Sequence, residues 1–455
     1  MKRKILFFPI CIMIMLAAVS GCKKKGVPDL NPGEVYSDTV ESVGETDSDA
    51  AGTTIDDTTD EISATSESES ETFNETEPST QVPTEATTEA TTETATEITT
   101  EIPTIPPTEP PVTVDSILAG MTVEEKVYQM FILMPENLTK TNRVTNFDNV
   151  FETELNKYPV SGIIMMTGNI VDPEQIKLML EKITESSYNR IGLQPFLCVD
   201  EEGGKVARIA NNDAFDVVNV GNMCDISSET EAYNAGVAMG TYLNELGFNF
   251  DFAPVADVLT NEENTVVRYR SFGSDPIAVR DYAMQVSKGL QSQGIMSCYK
   301  HFPGHGATAG DTHDGFAYTD KTYAELVQSE LVPFAAAQAV GVNAVMVAHI
   351  SLPNVVGDET PASLSSVIIT DILRGDLQFD GLVITDALNM QAICNNYSSA
   401  EAAIMAVDAG ADILLSPKDF REASAAIIEA VKSGRISEQR IDESVRRIIK
   451  AKLAL

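Results

Sequence analysis

The sequence predicts an α/β fold, a (β/α)8 barrel of the TIM type, as one folded domain over residues 112–455 behind a disordered N-terminal tether. Three observations predict it. Eight short apolar runs suited to strands buried on both faces recur through the C-terminal three-quarters of the chain. Helical patterns separate most of them, as a parallel sheet requires. Charged and imidazole side chains gather where several of the runs end, which in such barrels is the edge that carries chemistry.

The runs are Tyr128–Met134, Gly162–Met166, Pro195–Asp200, Phe248–Val255, Ile295–His301, Asn343–Ile350, Gly381–Asp386 and Ala411–Ser416. Helices are expected at Pro173–Ser187, Asp275–Gln293, Ala400–Ala409 and Arg421–Ser433, with Ser437 opening a last one in the manner of a capping box. A further amphipathic helix is expected from Thr322 through Gly341. The chain ends after the last helix, so no second α/β domain is expected.

Ahead of the barrel, Lys2, Arg3 and Lys4 precede an apolar run from Ile5 to Val19. That run is shorter than the roughly 20 residues needed to span a bilayer, so residues 1–21 read as an export signal. Leu16 to Cys22 (LAAVSGC) resembles a bacterial lipobox, which implies cleavage before Cys22 and lipid attachment to it. Residues 22–111 then form the tether. From Gly26 to Pro111 there are 22 acidic residues and no lysine or arginine, with repeated Thr-Glu units and scattered proline. Such a composition cannot bury enough apolar surface to offset chain entropy, and its r.m.s. span is roughly 50 Å. Residues 112–455 carry 46 acidic against 25 basic residues, which disfavours nucleic acid as a partner. Cys198 and Cys298 lie in apolar runs and read as small buried residues; a domain of this size needs no disulfide framework.

Function concentrates in one stretch. Three of the four histidines, His301, His305 and His313, fall between Lys300 and His313. His301 and His305 are spaced like zinc ligands on a helix, but Pro303 and Gly304 between them break that geometry, so no metal is expected. Asp311, two residues before His313, suits a carboxylate orienting an imidazole. Asp200, Lys300, His301, His349 and Asp386 end predicted strands and face one mouth.

KHFPGHG at Lys300–Gly306 followed by Asp311-Thr312-His313 resembles the signature of the β-N-acetylglucosaminidase branch of glycoside hydrolase family 3. Asp200–Arg208 (DEEGGKVAR), Phe252–Val258 (FAPVADV), Arg270–Gly273 (RSFG), Pro361–Ser365 (PASLS) and Gly381–Met390 (GLVITDALNM) are similar to further blocks of that family, in its order. The resemblance implies retaining hydrolysis, with Asp386 as nucleophile and His313, tuned by Asp311, as acid and base. It implies that Asp200, Arg208, Arg270, Lys300 and His301 grip the hydroxyls of the terminal sugar. Thr312, where the branch more often has serine, and Lys205, often arginine in relatives, are the departures. No cofactor is implied. The implied partners are a small oligosaccharide or glycan fragment and, through Cys22, a membrane; the sequence sets no oligomeric state.

Three other readings stay open. One is a family 3 β-glucosidase or xylosidase. Another is a phosphorylase, since a neutral histidine repels phosphate less than a carboxylate does. The third is a catalytically silent lipoprotein that binds wall fragments, against which the joint presence of Asp311, His313 and Asp386 argues. The absence of tryptophan favours a pocket for a terminal sugar over a long groove lined with aromatic platforms.

Overall fold

The computed structural model describes residues 113–308 and 317–455. The signal segment, Cys22 and the tether lie outside the described residues, as do Asp311, Thr312 and His313.

Eight parallel strands form the barrel: β1 Phe131–Leu133, β2 Gly162–Ile164, β3 Phe196–Val199, β4 Phe250–Asp251, β5 Met296–Phe302, β6 Ala344–Val347, β7 Leu382–Thr385 and β8 Leu414–Leu415. Each lies beside its chain neighbours, and β1 also pairs with β8. A bridge between Ile384 and Ile413, with the Thr385 N–H donating to the Ile413 carbonyl at 3.0 Å, closes the ring between β7 and β8. Seven of the eight strands fall within the runs expected from the sequence, and β5 runs one residue past its expected end, to Phe302. Their residues are nearly all apolar and buried, because a parallel strand is covered by helices outside and by the barrel filling inside.

The helices start and stop where their side chains allow. Asp172 accepts from the Gln175 N–H at 2.8 Å ahead of Pro173, and the helix Pro173–Ile191 ends on Gly192, whose φ of 71° is the left-handed conformation glycine adopts most easily. Ser398 and Glu401 make a reciprocal capping box at the start of Ser399–Ala409. Ser437 makes only half of one: its hydroxyl accepts from the Arg440 N–H, but an arginine has no acceptor to return. Helices Glu229–Leu246 and Pro276–Ser292 pack backbone to backbone. A Cβ on Gly236 would stand 2.2 Å from the Val286 carbonyl, and one on Gly289 would stand 2.4 Å from that of Tyr233, so only glycine permits this approach.

Three segments depart from expectation. Tyr128 and Gln129 finish a helix, Val123–Gln129, rather than opening a strand, since Thr122 and Glu125 cap it reciprocally. Only Phe250 and Asp251 of the fourth run pair as a strand. The helix expected after Thr322 is two, Tyr323–Gln328 and Leu331–Ala335. Between them Glu330 is fully buried, and its carboxylate accepts from Thr260, Lys321 and Ser329. The break falls at Ser329, four residues before Pro333, which has no N–H to donate to the Ser329 carbonyl and whose ring crowds it. No helix among the described residues is long and apolar enough to cross a membrane.

Candidate active site

A cavity of about 370 Å³ opens at the C-terminal ends of the strands, toward the small end of the roughly 300–1,000 Å³ typical of ligand pockets. Asp200, Arg208, Arg270, Lys300, His301 and Asp386, six of the residues singled out in the sequence, all line it. Its walls differ in character. Met134, Ile164, Met166, Met346 and Leu415 make an apolar side, while the ends of β3 to β5 carry a dense set of charges.

That charged wall is ordered by two carboxylates. Glu202 accepts from Arg270 in a two-pronged pair, Nε at 2.6 Å and Nη2 at 2.8 Å, and its Oε1 also lies 2.6 Å from Lys300 Nζ. Lys300 donates in turn to Asp200 Oδ1 at 2.8 Å, and Arg208 Nη2 stands 3.7 Å from Asp200 Oδ2. Burial works against the charge on Glu202, but Arg270 and Lys300 outweigh it and hold its carboxyl far below the carboxylate range. Lys300 is likewise disfavoured by burial and then held charged by Asp200 and Glu202, above the ordinary lysine range. Planar guanidinium against carboxylate fixes orientation as well as charge, so donors and acceptors are set before any ligand arrives.

His301 sits behind this wall, following Lys300 on β5. Its Nδ1 is 2.8 Å from Asp257 Oδ2, and its Nε2 is 3.3 Å from Arg270 Nη2. A guanidinium can only donate, so Nε2 accepts and Nδ1–H donates to Asp257. Asp257 is fully buried and also accepts the backbone N–H groups of His301 and His305, at 3.1 and 2.6 Å. Burial raises its pKa, but His301, His305 and the hydrogen bonds they donate together outweigh it and hold the carboxyl below the usual aspartate value. One carboxylate thereby shapes the turn from β5 into the histidine loop.

Asp386 follows β7 and is partly exposed to the cavity. Among the described residues its carboxylate accepts one hydrogen bond, from the Ala387 N–H at 2.7 Å, and the residue lines the cavity. Burial opposes its charge; His349, His301, the Ala387 amide and Lys300 together outweigh it and keep its pKa below the usual aspartate value. His349, expected at the same mouth, acts from behind. Its Nε2–H donates to the Ala387 carbonyl at 2.9 Å, and its Nδ1 accepts from the Ser363 hydroxyl at 2.7 Å. Ser363 belongs to the PASLS block, so that block braces the peptide carrying Asp386. Burial pushes the His349 imidazole down in pKa, consistent with this neutral tautomer.

Sequence reasoning did not assign roles to Glu202, Asp257 or His305, although each lies inside a block it quoted. Glu201 and Glu202 are adjacent, so their side chains take opposite sides. Glu201 is tied to Tyr242 and to the Ile209 and Ala210 amides, whereas Glu202 reaches the cavity. Two acids in tandem before two glycines were the available signal. Among the described residues no three His, Cys, Asp or Glu are grouped as metal ligands would be.

Residues 122–451 match the family model described as the glycosyl hydrolase family 3 N terminal domain. The chain is 31% identical over 327 residues to beta-hexosaminidase A of Pseudoalteromonas piscicida, an alignment covering 66% of this chain and 54% of that one. It is 35% identical over 273 residues to a beta-hexosaminidase of Chromobacterium violaceum, covering 58% and 74%. Among solved structures, a glycoside hydrolase family 3 beta-N-acetylglucosaminidase from Paenibacillus sp. str. FPU-7 superposes with a TM-score of 0.69 at 33% identity, covering 74% of this chain and 63% of that one. The chain thus spans little more than half of the Pseudoalteromonas relative and under two-thirds of the Paenibacillus chain.

Proposed function

Because the chain belongs to glycosyl hydrolase family 3, we propose that its barrel is an exo-acting, retaining β-N-acetylhexosaminidase that removes terminal non-reducing N-acetylglucosamine from small amino-sugar fragments. The observation that carries this reading is Asp386: an ionised carboxylate with a single donor among the described residues, lining the same cavity as a preorganised set of hydroxyl-binding charges. The names of the relatives above support the choice of sugar.

In this mechanism Asp200, Arg208, Arg270, Lys300 and His301 bind the terminal sugar and hold its anomeric carbon against Asp386. The carboxylate attacks that carbon as the bond to the leaving oxygen breaks, and His313, oriented by Asp311, gives the leaving oxygen its proton. His313 then takes a proton from water, the water oxygen attacks the same carbon, and Asp386 leaves with the configuration retained. An unperturbed imidazole titrates near ~6.5 and so serves both halves near neutrality. The small volume of the cavity supports exo-action.

The cellular setting rests on the sequence: export, cleavage before Cys22, lipid attachment there, and a tether that holds the barrel in reach of wall fragments. Cys22→Ala should release the protein into the medium or stall its precursor; a variant processed and membrane-bound as before contradicts the anchor. The activity itself is tested with a panel of aryl β-glycosides, with and without phosphate. Hydrolysis of the N-acetylglucosaminide is expected at a phosphate-independent rate. Strict dependence on phosphate reassigns the reaction to phosphorolysis, and preference for the glucoside or xyloside reassigns the sugar.

A further inference from the structure

The backbone of His305 is hydrogen-bonded through both its N–H and its carbonyl, and one atom of its side chain is left over. Its backbone N–H donates to Asp257 Oδ1 at 2.6 Å, and its carbonyl accepts from Asn264 Nδ2 at 2.8 Å and from the Thr308 hydroxyl at 2.9 Å. Its Nδ1 lies 3.1 Å from that same hydroxyl oxygen. A hydroxyl has one proton to give. The Thr308 proton goes to the His305 carbonyl, so Nδ1 carries the ring proton and donates to Thr308 Oγ1. Nε2 is therefore a bare lone pair.

That lone pair has no partner among the described residues, on a residue only 2% exposed that lines the same cavity as Asp386 and Lys300. The nearby His301 cannot serve it, since both of its ring nitrogens are engaged with Asp257 and Arg270. Nor can the ring drift toward another donor. A Cβ on Gly304 would stand 2.6 Å from the Glu330 Cβ, and one on Gly306 would stand 2.1 Å from the Val258 carbonyl, so the backbone on either side of His305 is pressed against its neighbours. Burial pushes the imidazole down in pKa, which keeps it in the neutral, accepting form. Buried acceptors are nearly always paired, so the missing donor is expected from what fills the cavity.

We propose that His305 is a substrate-contacting residue whose Nε2 accepts a hydrogen bond from an O–H or N–H of the glycosyl unit bound in the cavity. This rests on the glycosidase reading above and adds to it a contact on the β5 loop, distinct from the charged grip of Asp200, Arg208, Arg270 and Lys300.

The test compares the full chain with His305→Leu and His305→Gln, the second of which returns an acceptor through its side-chain carbonyl. Calorimetry measures binding of N-acetylglucosamine and of analogues each lacking one donor: the 2-acetamido group or the 3-, 4- or 6-hydroxyl. Melting temperature and kcat/KM on the aryl N-acetylglucosaminide are read alongside. His305→Leu is expected to weaken binding and lower kcat/KM about 10- to 100-fold, with His305→Gln recovering most of the loss. One analogue, the one lacking the contacted donor, should bind the unaltered chain and His305→Leu equally well. Equal N-acetylglucosamine binding by both chains overturns the assignment. So does a His305→Leu loss of the same size for every analogue, or a His305→Gln chain that melts normally yet binds as poorly as His305→Leu. Sugar binding without hydrolysis breaks the hydrolase reading alone, and the binding comparison still decides His305; absence of all sugar binding overturns both.

Discussion

Two aspartates at opposite ends of the barrel, Asp386 and Asp412, differ in how much their surroundings ask of them. Asp412 precedes β8 and has no solvent exposure. It accepts from Arg374 Nη2 at 2.5 Å, the Val383 N–H at 3.0 Å, the Ser444 hydroxyl at 2.6 Å and Arg447 Nη1 at 3.3 Å. Asp386 follows β7 at the other end and, among the described residues, accepts from one backbone amide. A carboxylate with every lone pair engaged joins strands to helices; one left largely unengaged beside a cavity is available to attack. In barrels of this architecture the N-terminal face is where stability resides and the C-terminal face is where chemistry does, and these two residues divide along that line.

Substitutions that exchange the two roles would break this contrast. Asp386→Ala should lower kcat on an aryl N-acetylglucosaminide by at least about 10³-fold, because no covalent intermediate can form, while denaturant unfolding stays close to that of the unaltered chain. Asp412→Ala should do the reverse. Removing a buried partner of two arginines should cost about 3–5 kcal/mol of unfolding free energy, with activity per folded molecule retained. Comparable melting losses in both variants would erase the distinction.

Glu202 sharpens it, since it lies at the chemical end yet is as fully engaged as Asp412. Glu202→Gln should lower kcat/KM about 10- to 100-fold, chiefly through KM, by loosening Arg270 and Lys300. It should also change the acid limb of stability. The folded-state pKa of Glu202 lies below its unfolded value, so its contribution is complete above roughly pH 4.5 and disappears as pH falls toward the lower folded-state value. The Gln variant should therefore lose less stability than the unaltered chain between pH 5 and pH 2, as read by thermal melts. The smallest expected effect is removal of residues 22–110, which should change kcat and KM on a soluble aryl glycoside by less than about twofold, because that composition offers nothing to pack on the barrel.

The same contrast explains what could be read from the sequence. The eight strands were legible because each is buried on both faces and so reads as an unbroken apolar run. Their ends were not. In the fourth run Pro254 offers no N–H to a neighbouring strand, and only Phe250 and Asp251 pair regularly. The helix after Thr322 breaks four residues before Pro333, a signal present in the sequence, and the burial of Glu330 against Thr260 and Lys321 at that break is what no local pattern can report. Asp200, Lys300, His301 and Asp386 could be placed at one mouth from strand ends alone. Glu202 and Asp257 could not be given roles, because the partners that define them, Arg270 and His301, lie 68 and 44 residues away in the chain.

The central claim is that the under-engaged Asp386 is the group that attacks the sugar. A slow-turnover, fluorinated N-acetylglucosaminide trap, followed by proteolysis and mass mapping of the labelled peptide, tests it directly. The expected result is one stoichiometric label, on Asp386, with retained configuration in the product of an ordinary substrate. A label on any other residue, or inversion at the anomeric carbon, would contradict it.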